Sequence, residues 1–62
     1  MLEKLRFLSS IGVSHTHMAK EIGVAKSTVN AWVSGLKGIS PHNEIKVKVF
    51  LDNFKVMVVE TL

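Results

Sequence analysis

Residues 15–34, HTHMAKEIGVAKSTVNAWVS, constrain this chain more than any other stretch. Two short apolar patterns meet there at a glycine. Met18, Ala19 and Ile22 recur at i, i+1 and i+4, and Val29 and Trp32 at i and i+3. Each pattern is that of a helix with one inward face. Ala19 stands four residues before Gly23, and Val29 stands six after it. A small residue at Ala19 lets two helices approach closely, and Gly23 takes a left-handed bend without steric cost. The spacing predicts helices over 15–22 and 26–33, with Val24 tucked under the turn. Ser14 is suited to cap the first of them, because its hydroxyl accepts a free backbone N–H. Ala25 stands where Ser or Thr is expected before the second, so that helix starts weakly or shifts its start onto Ser27.

The flanks extend the helical reading. Leu2, Leu5 and Leu8 recur at three-residue spacing with Glu3, Lys4 and Arg6 between them, a short amphipathic helix over 2–10. Gly12 marks its stop. Gly35 and Gly38 bracket a loop, SGLKGIS. Ser40-Pro41 is then a strong helix start, with Ser as N-cap and Pro at the first helical position. Glu44 places negative charge near that positive end. In this fourth helix Ile45, Val49 and Asp52 form one stripe, and Val47, Phe50, Leu51 and Phe54 another. The tail, FKVMVVETL, is rich in Val, which suits strands. Val47, Phe50, Phe54, Met57 and Leu62 approximate helical spacing instead. A fifth helix, or a continuation of the fourth, is favoured over a strand.

These elements describe one small domain over residues 1–62, with a core in 2–54. A chain of 62 residues buries only about 60% of its unfolded surface, so its stability is marginal. There is no cysteine, hence no disulfide and no thiolate metal site. The charge is +3, with a sequence pI of about 9.6. Residues 20–48 carry five lysines against two glutamates, a local +3, whereas the last fourteen residues carry −1. That balance favours a polyanion. No run approaches the roughly 20 apolar residues of a bilayer span, and charges interrupt the N-terminal apolar residues. No membrane association and a cytoplasmic location are expected.

Catalysis is close to excluded by inventory. The chain lacks Cys and Tyr, its carboxylates are scattered singly, and no Gly-rich phosphate loop occurs. A pocket for a small-molecule substrate would consume much of so small a core. His15, His17 and His42 are the only imidazoles; the first two are two apart on a helix and diverge, so no metal set and no cofactor is expected. Trp32 shares the inner stripe with Val29 and is assigned to the core, where its indole N–H needs a partner.

Two helices hinged on a glycine are the sequence shape of a helix-turn-helix, whose second helix enters the DNA major groove. In HMAKEIGVAKSTVNAW, in WVSGLKGISP and in the apolar helix ending FLDNF, the chain resembles the Cro- and phage-repressor-type (Xre-like) helix-turn-helix domains. The likeness covers roughly residues 13–54. The quartet Ala19, Gly23, Val29 and Trp32 is moderately specific for helix-turn-helix in general; the run from Gly35 to Pro41 pulls it towards this family. The departure at Ala25 bears only on where the third helix starts. The resemblance implies an all-α, lambda repressor-like domain of four or five helices. It also implies that Lys26, Ser27 and Thr28 point at base edges, with Asn30 and Ala31 one turn on. Lys26 would donate to guanine, Asn30 would pair with adenine, and Ala31 would touch a thymine methyl. Phosphate contacts are expected from His15 and Thr16 at a helix N-terminus, and from Ser34 and Lys37 after the recognition helix, with Lys20 and Lys46 as weaker candidates.

The expected function is a sequence-specific regulator of transcription that binds double-stranded DNA, a repressor of phage, plasmid or bacterial type. Two alternatives stand beside it. One is a DNA-recognition subunit in recombination or phage packaging. The other is a protein-interaction module that kept the fold and lost DNA binding. Val56, Met57, Val58 and Val59 are four consecutive apolar residues that one face cannot hide. With Phe54 they either wrap the core or, as favoured here, form a homodimer interface. A dimer on a palindromic operator would supply the affinity that one domain lacks.

Overall fold

Among the described residues four helices account for the fold, and local chemistry sets several of their ends. The computed structural model describes the backbone of residues 1–61 and the side chains of residues 1–54. The helices are α1 (Leu2–Ser10), α2 (His15–Ile22), α3 (Lys26–Ser34) and α4 (Pro41–Thr61). The domain is all-α. The C-terminal segment continues α4 as far as Thr61, so the helical reading of the Val-rich tail holds and the strand does not form.

The caps carry the boundaries. Ser14 is extended, and its hydroxyl accepts the His17 N–H at 3.1 Å. Gly23 ends α2 at φ +90°, where the Gly23 and Val24 N–H groups both bond the Ala19 carbonyl, at 2.8 and 3.0 Å. A β-carbon disfavours that conformation, so the three-residue turn between α2 and α3 depends on glycine there. Ala25 occupies the N-cap of α3 in extended geometry with no side-chain hydrogen bond. The start nevertheless stays at Lys26 and does not move to Ser27. The packing of Val29 and Trp32 fixes it without a cap. At the far end, Gly35 N–H bonds Trp32 O at 3.2 Å and Leu36 N–H bonds Ala31 O at 2.9 Å, the paired arrangement of a Schellman stop. Ser40 starts α4 as its sequence suggests, accepting from Asn43 N at 3.4 Å through its hydroxyl and from Glu44 N at 2.9 Å through its carbonyl.

The core is built from all four helices: Leu5 and Leu8 of α1, Met18, Ala19 and Ile22 of α2, Val29 and Trp32 of α3, Val47 and Phe50 of α4. Full burial of each large apolar side chain contributes about 1.5–3 kcal/mol, so this set dominates the stability of the domain. Trp32, one of the largest fully enclosed side chains of the group, has 2% of its surface exposed. Val13, Val24, Val33, Ile39, Leu51 and Phe54 close the edges. Of the two stripes on α4, the one through Val47 and Phe50 packs inward. Ile45 and Val49 on the other remain 69% and 55% exposed. Among the described residues no buried side-chain polar atom lacks a partner, and no helix is long and apolar enough to cross a membrane.

Candidate nucleic-acid interface

The outward face of α3 follows from its inward one. With 3.6 residues per turn, burying Val29 and Trp32 turns Ser27, Asn30, Ala31 and Ser34 to the opposite side, at i, i+3, i+4 and i+7. Ser27, Asn30 and Ser34 are exposed and Ala31 is half-buried. Lys26 is exposed in the first turn, on the edge of that stripe. Thr28 falls towards Trp32 on the helical wheel and is half-buried, so it sits on the shoulder of the face. The result is a narrow ridge of small polar side chains with a cation at its N-terminal end.

The rim of the ridge is supplied by neighbouring segments. Thr16 is exposed in the first turn of α2. There Ser14 takes the N–H groups of His17 and Met18, and the remaining first-turn donors belong to His15 and Thr16. Lys37 is exposed, and its N–H bonds the Ala31 carbonyl at 3.3 Å, which fixes its backbone against the end of α3. The Ser34 hydroxyl folds back onto the same carbonyl at 3.3 Å. Lys20 and Lys46 are exposed on α2 and α4. The structure thus brings Lys26, Ser27, Asn30, Ala31, Ser34 and Lys37 onto or beside one helix.

His15 and Asn30 meet each other, a contact the sequence did not suggest. His15 is half-buried, and its ring spans three helices. Nε2 lies 2.7 Å from the Ser9 hydroxyl of α1, and Nδ1 meets Oδ1 of Asn30 on α3. Both ring nitrogens are therefore occupied within the protein, and the outward-facing Asn30 is tied to α2. His17 turns the other way and lines a shallow groove with Glu21 of α2 and Val49, Phe50, Asn53 and Phe54 of α4. The two imidazoles part as their spacing requires.

Two residues that the sequence did not nominate join this region. Ser9 completes the His15 bridge. Arg6 of α1 reaches the C-terminal end of α3, where its Nε–H donates to the Val33 carbonyl at 3.2 Å. Neither gives a periodic signal, since each acts across a tertiary contact.

Phe54, expected at a homodimer contact, is half-buried against the core. Its ring centroid lies 6.0 Å from that of Phe50, at an interplanar angle of 49°. The other residues of that expected interface, Val56, Met57, Val58 and Val59, lie outside the described side chains.

No family model, curated protein or solved structure matches this chain. The functional reading rests on the residues and their placement.

Proposed function

We propose that this chain binds double-stranded DNA in a sequence-specific way and regulates transcription, with α3 lying in the major groove. One observation carries the reading. The α3 ridge of Ser27, Asn30 and Ala31 faces solvent, with Lys26 beside it, while Val29 and Trp32 lock the helix from beneath. A rigid helix with small polar side chains outward is shaped to enter a groove that admits one helix. Lys26, Ser27, Thr28, Asn30 and Ala31 meet base edges. Thr16, Ser34 and Lys37, with the N–H groups at the start of α2, meet phosphates and set the register. Bound at a promoter, the domain acts as a repressor by occupying the site. Phe54 and the Val56–Val59 segment of α4 join two copies as a homodimer on a palindromic operator.

The test is a fluorescence-anisotropy titration of duplex DNA at several salt concentrations. Affinity should fall steeply as salt rises, with a logarithmic slope of about −0.9 per phosphate neutralised. An affinity indifferent to salt, or none at low salt, would refute the reading.

A second reading is favoured by a specific observation. Phe7, Ile11, Leu36, Ile45 and Val49 are all more than half exposed. Singly exposed apolar residues are ordinary, but Ile45 and Val49 are one turn apart on α4 and present a common face to a protein partner. On that reading the fold serves protein association. Loss of partner binding in Ile45→Lys, with DNA absent throughout, would support it over the first.

A further inference from the structure

The His15 bridge has a consequence for how Asn30 reads a base. Asn30 projects from the α3 ridge, yet its amide oxygen is turned back onto Nδ1 of His15. An amide oxygen only accepts, so with Oδ1 on the ring the proton belongs on Nδ1, and with the amide turned over it belongs on Nε2. In the first case Nε2 of the neutral ring is bare and accepts from the Ser9 hydroxyl at 2.7 Å. With Oδ1 on the ring, the three groups satisfy one another as Ser9 O–H to Nε2 and Nδ1–H to Oδ1. Both hydrogen-bond partners of the ring, Ser9 from α1 and Asn30 from α3, are uncharged. With Oδ1 on the ring, Nδ2 is the other end of the amide, on a residue that is exposed.

We infer that His15 sets which end of the Asn30 amide is presented, and that Asn30 therefore favours guanine over adenine at the base it meets. This rests on the DNA-binding reading above. Pairing with adenine requires the amide oxygen and nitrogen together, one for N6–H and one for N7. Guanine offers two adjacent acceptors, O6 and N7, to a group that brings only N–H. His15 is a positioning residue here. It touches no base, and it acts by holding Oδ1.

The opposite tautomer reverses the outcome. A proton on Nε2 would donate to Ser9 and leave Nδ1 bare, and the amide would turn to donate to it. Oδ1 would then face the groove. An imidazole in water favours the Nε2–H form, so the tautomer imposed by this bridge is the diagnostic one.

The first arm of the test needs no DNA. A long-range ¹H–¹⁵N spectrum of the imidazoles in the free protein, at a pH where His15 is neutral, identifies the protonated nitrogen. The expected result is Nδ1–H at His15. An Nε2–H form would overturn the inference. The second arm selects bound sites from random duplexes with the native chain, with His15→Phe and with His15→Asn. The native chain should prefer guanine about tenfold at one position. His15→Phe keeps a planar ring and removes both hydrogen bonds, so that preference should collapse towards adenine. His15→Asn places an amide N–H where Nδ1 stands and should restore guanine. An equal loss of affinity for all four bases in His15→Phe would show a merely structural role and overturn the inference. Nδ1–H at His15 with no duplex bound at low salt would instead remove the DNA reading on which it rests. The two failures are therefore distinct.

Discussion

Arg6 and Val33 are joined across 27 residues of chain: the Arg6 Nε–H donates to the Val33 carbonyl oxygen at 3.2 Å. The bond clips α1 to the last turn of α3. Helix ends leave carbonyls without intrahelical partners, and a guanidinium near that negative end is doubly favourable. Arg6 is exposed, so water screens the charge. Replacing it with methionine keeps the stem and removes the donor. Arg6→Met should cost about 1 kcal/mol, which lowers the Tm of a domain this size by about 4–8 °C in a calorimetric scan. An unchanged Tm would show that the clip contributes nothing.

The two caps of the α2–α3 pair make a matched experiment. Ser14 caps α2 through its hydroxyl, whereas Ala25 holds the same extended geometry before α3 with nothing to offer. Ser14→Ala should destabilise by about 1 kcal/mol and Ala25→Ser should stabilise by a similar amount. Chemical denaturation of the two variants reads both signs at once. A destabilising Ala25→Ser would mean that the α3 N-terminus has no room for a cap.

Glycine substitutions separate conformation from space. A β-carbon at Gly23 or at Gly38 would meet nothing within 4 Å, so neither change makes a clash. They differ in backbone: Gly23 sits at φ +90°, and Gly38 lies outside the left-handed region. Gly23→Ala should therefore lose about 1–2 kcal/mol. Gly38→Ala should be neutral or gain about 0.4–1 kcal/mol by restricting the unfolded chain. Denaturant midpoints that move together would contradict this.

Much of this architecture is written locally. The α1 and α2 boundaries coincide with those expected from Leu2, Ser14 and Gly23, because caps and stops are properties of neighbouring residues. The assignment of Val29 and Trp32 to the core follows from their period, and both are buried. The two stripes of α4 were visible, but not which of them packs. That choice depends on how α4 lies against α2, and Val47 rather than Ile45 goes inward. The bridge from His15 to Asn30 left no sequence trace. It joins polar residues 15 apart on different helices, whose meeting is set by the turn geometry. His15 and Asn30 meet each other, and neither residue's own neighbours signal that contact.

Lys26 and Lys37 flank the α3 ridge and should fail differently. Lys26 stands in the first turn of α3, beside the residues assigned to base edges. Lys37 is anchored past the helix end through its N–H to the Ala31 carbonyl, where the proposed binding mode puts a phosphate. Lys26→Ala should cost roughly 1–3 kcal/mol on the preferred duplex and blur base preference. Lys37→Ala should weaken binding to every sequence alike and reduce the salt slope by about 1. Identical behaviour of the two variants on matched and scrambled duplexes would dismiss the division of roles.

The central claim concerns which surface meets DNA, and amide chemical-shift mapping tests it most directly. ¹⁵N-labelled protein would be titrated with duplex DNA at low salt. Perturbed amides should cluster at residues 26–34, at Thr16 and at Lys37, leaving Ile45 and Val49 unmoved. Shifts gathered on the Ile45–Val49 face of α4, or no shifts at all, would contradict the account.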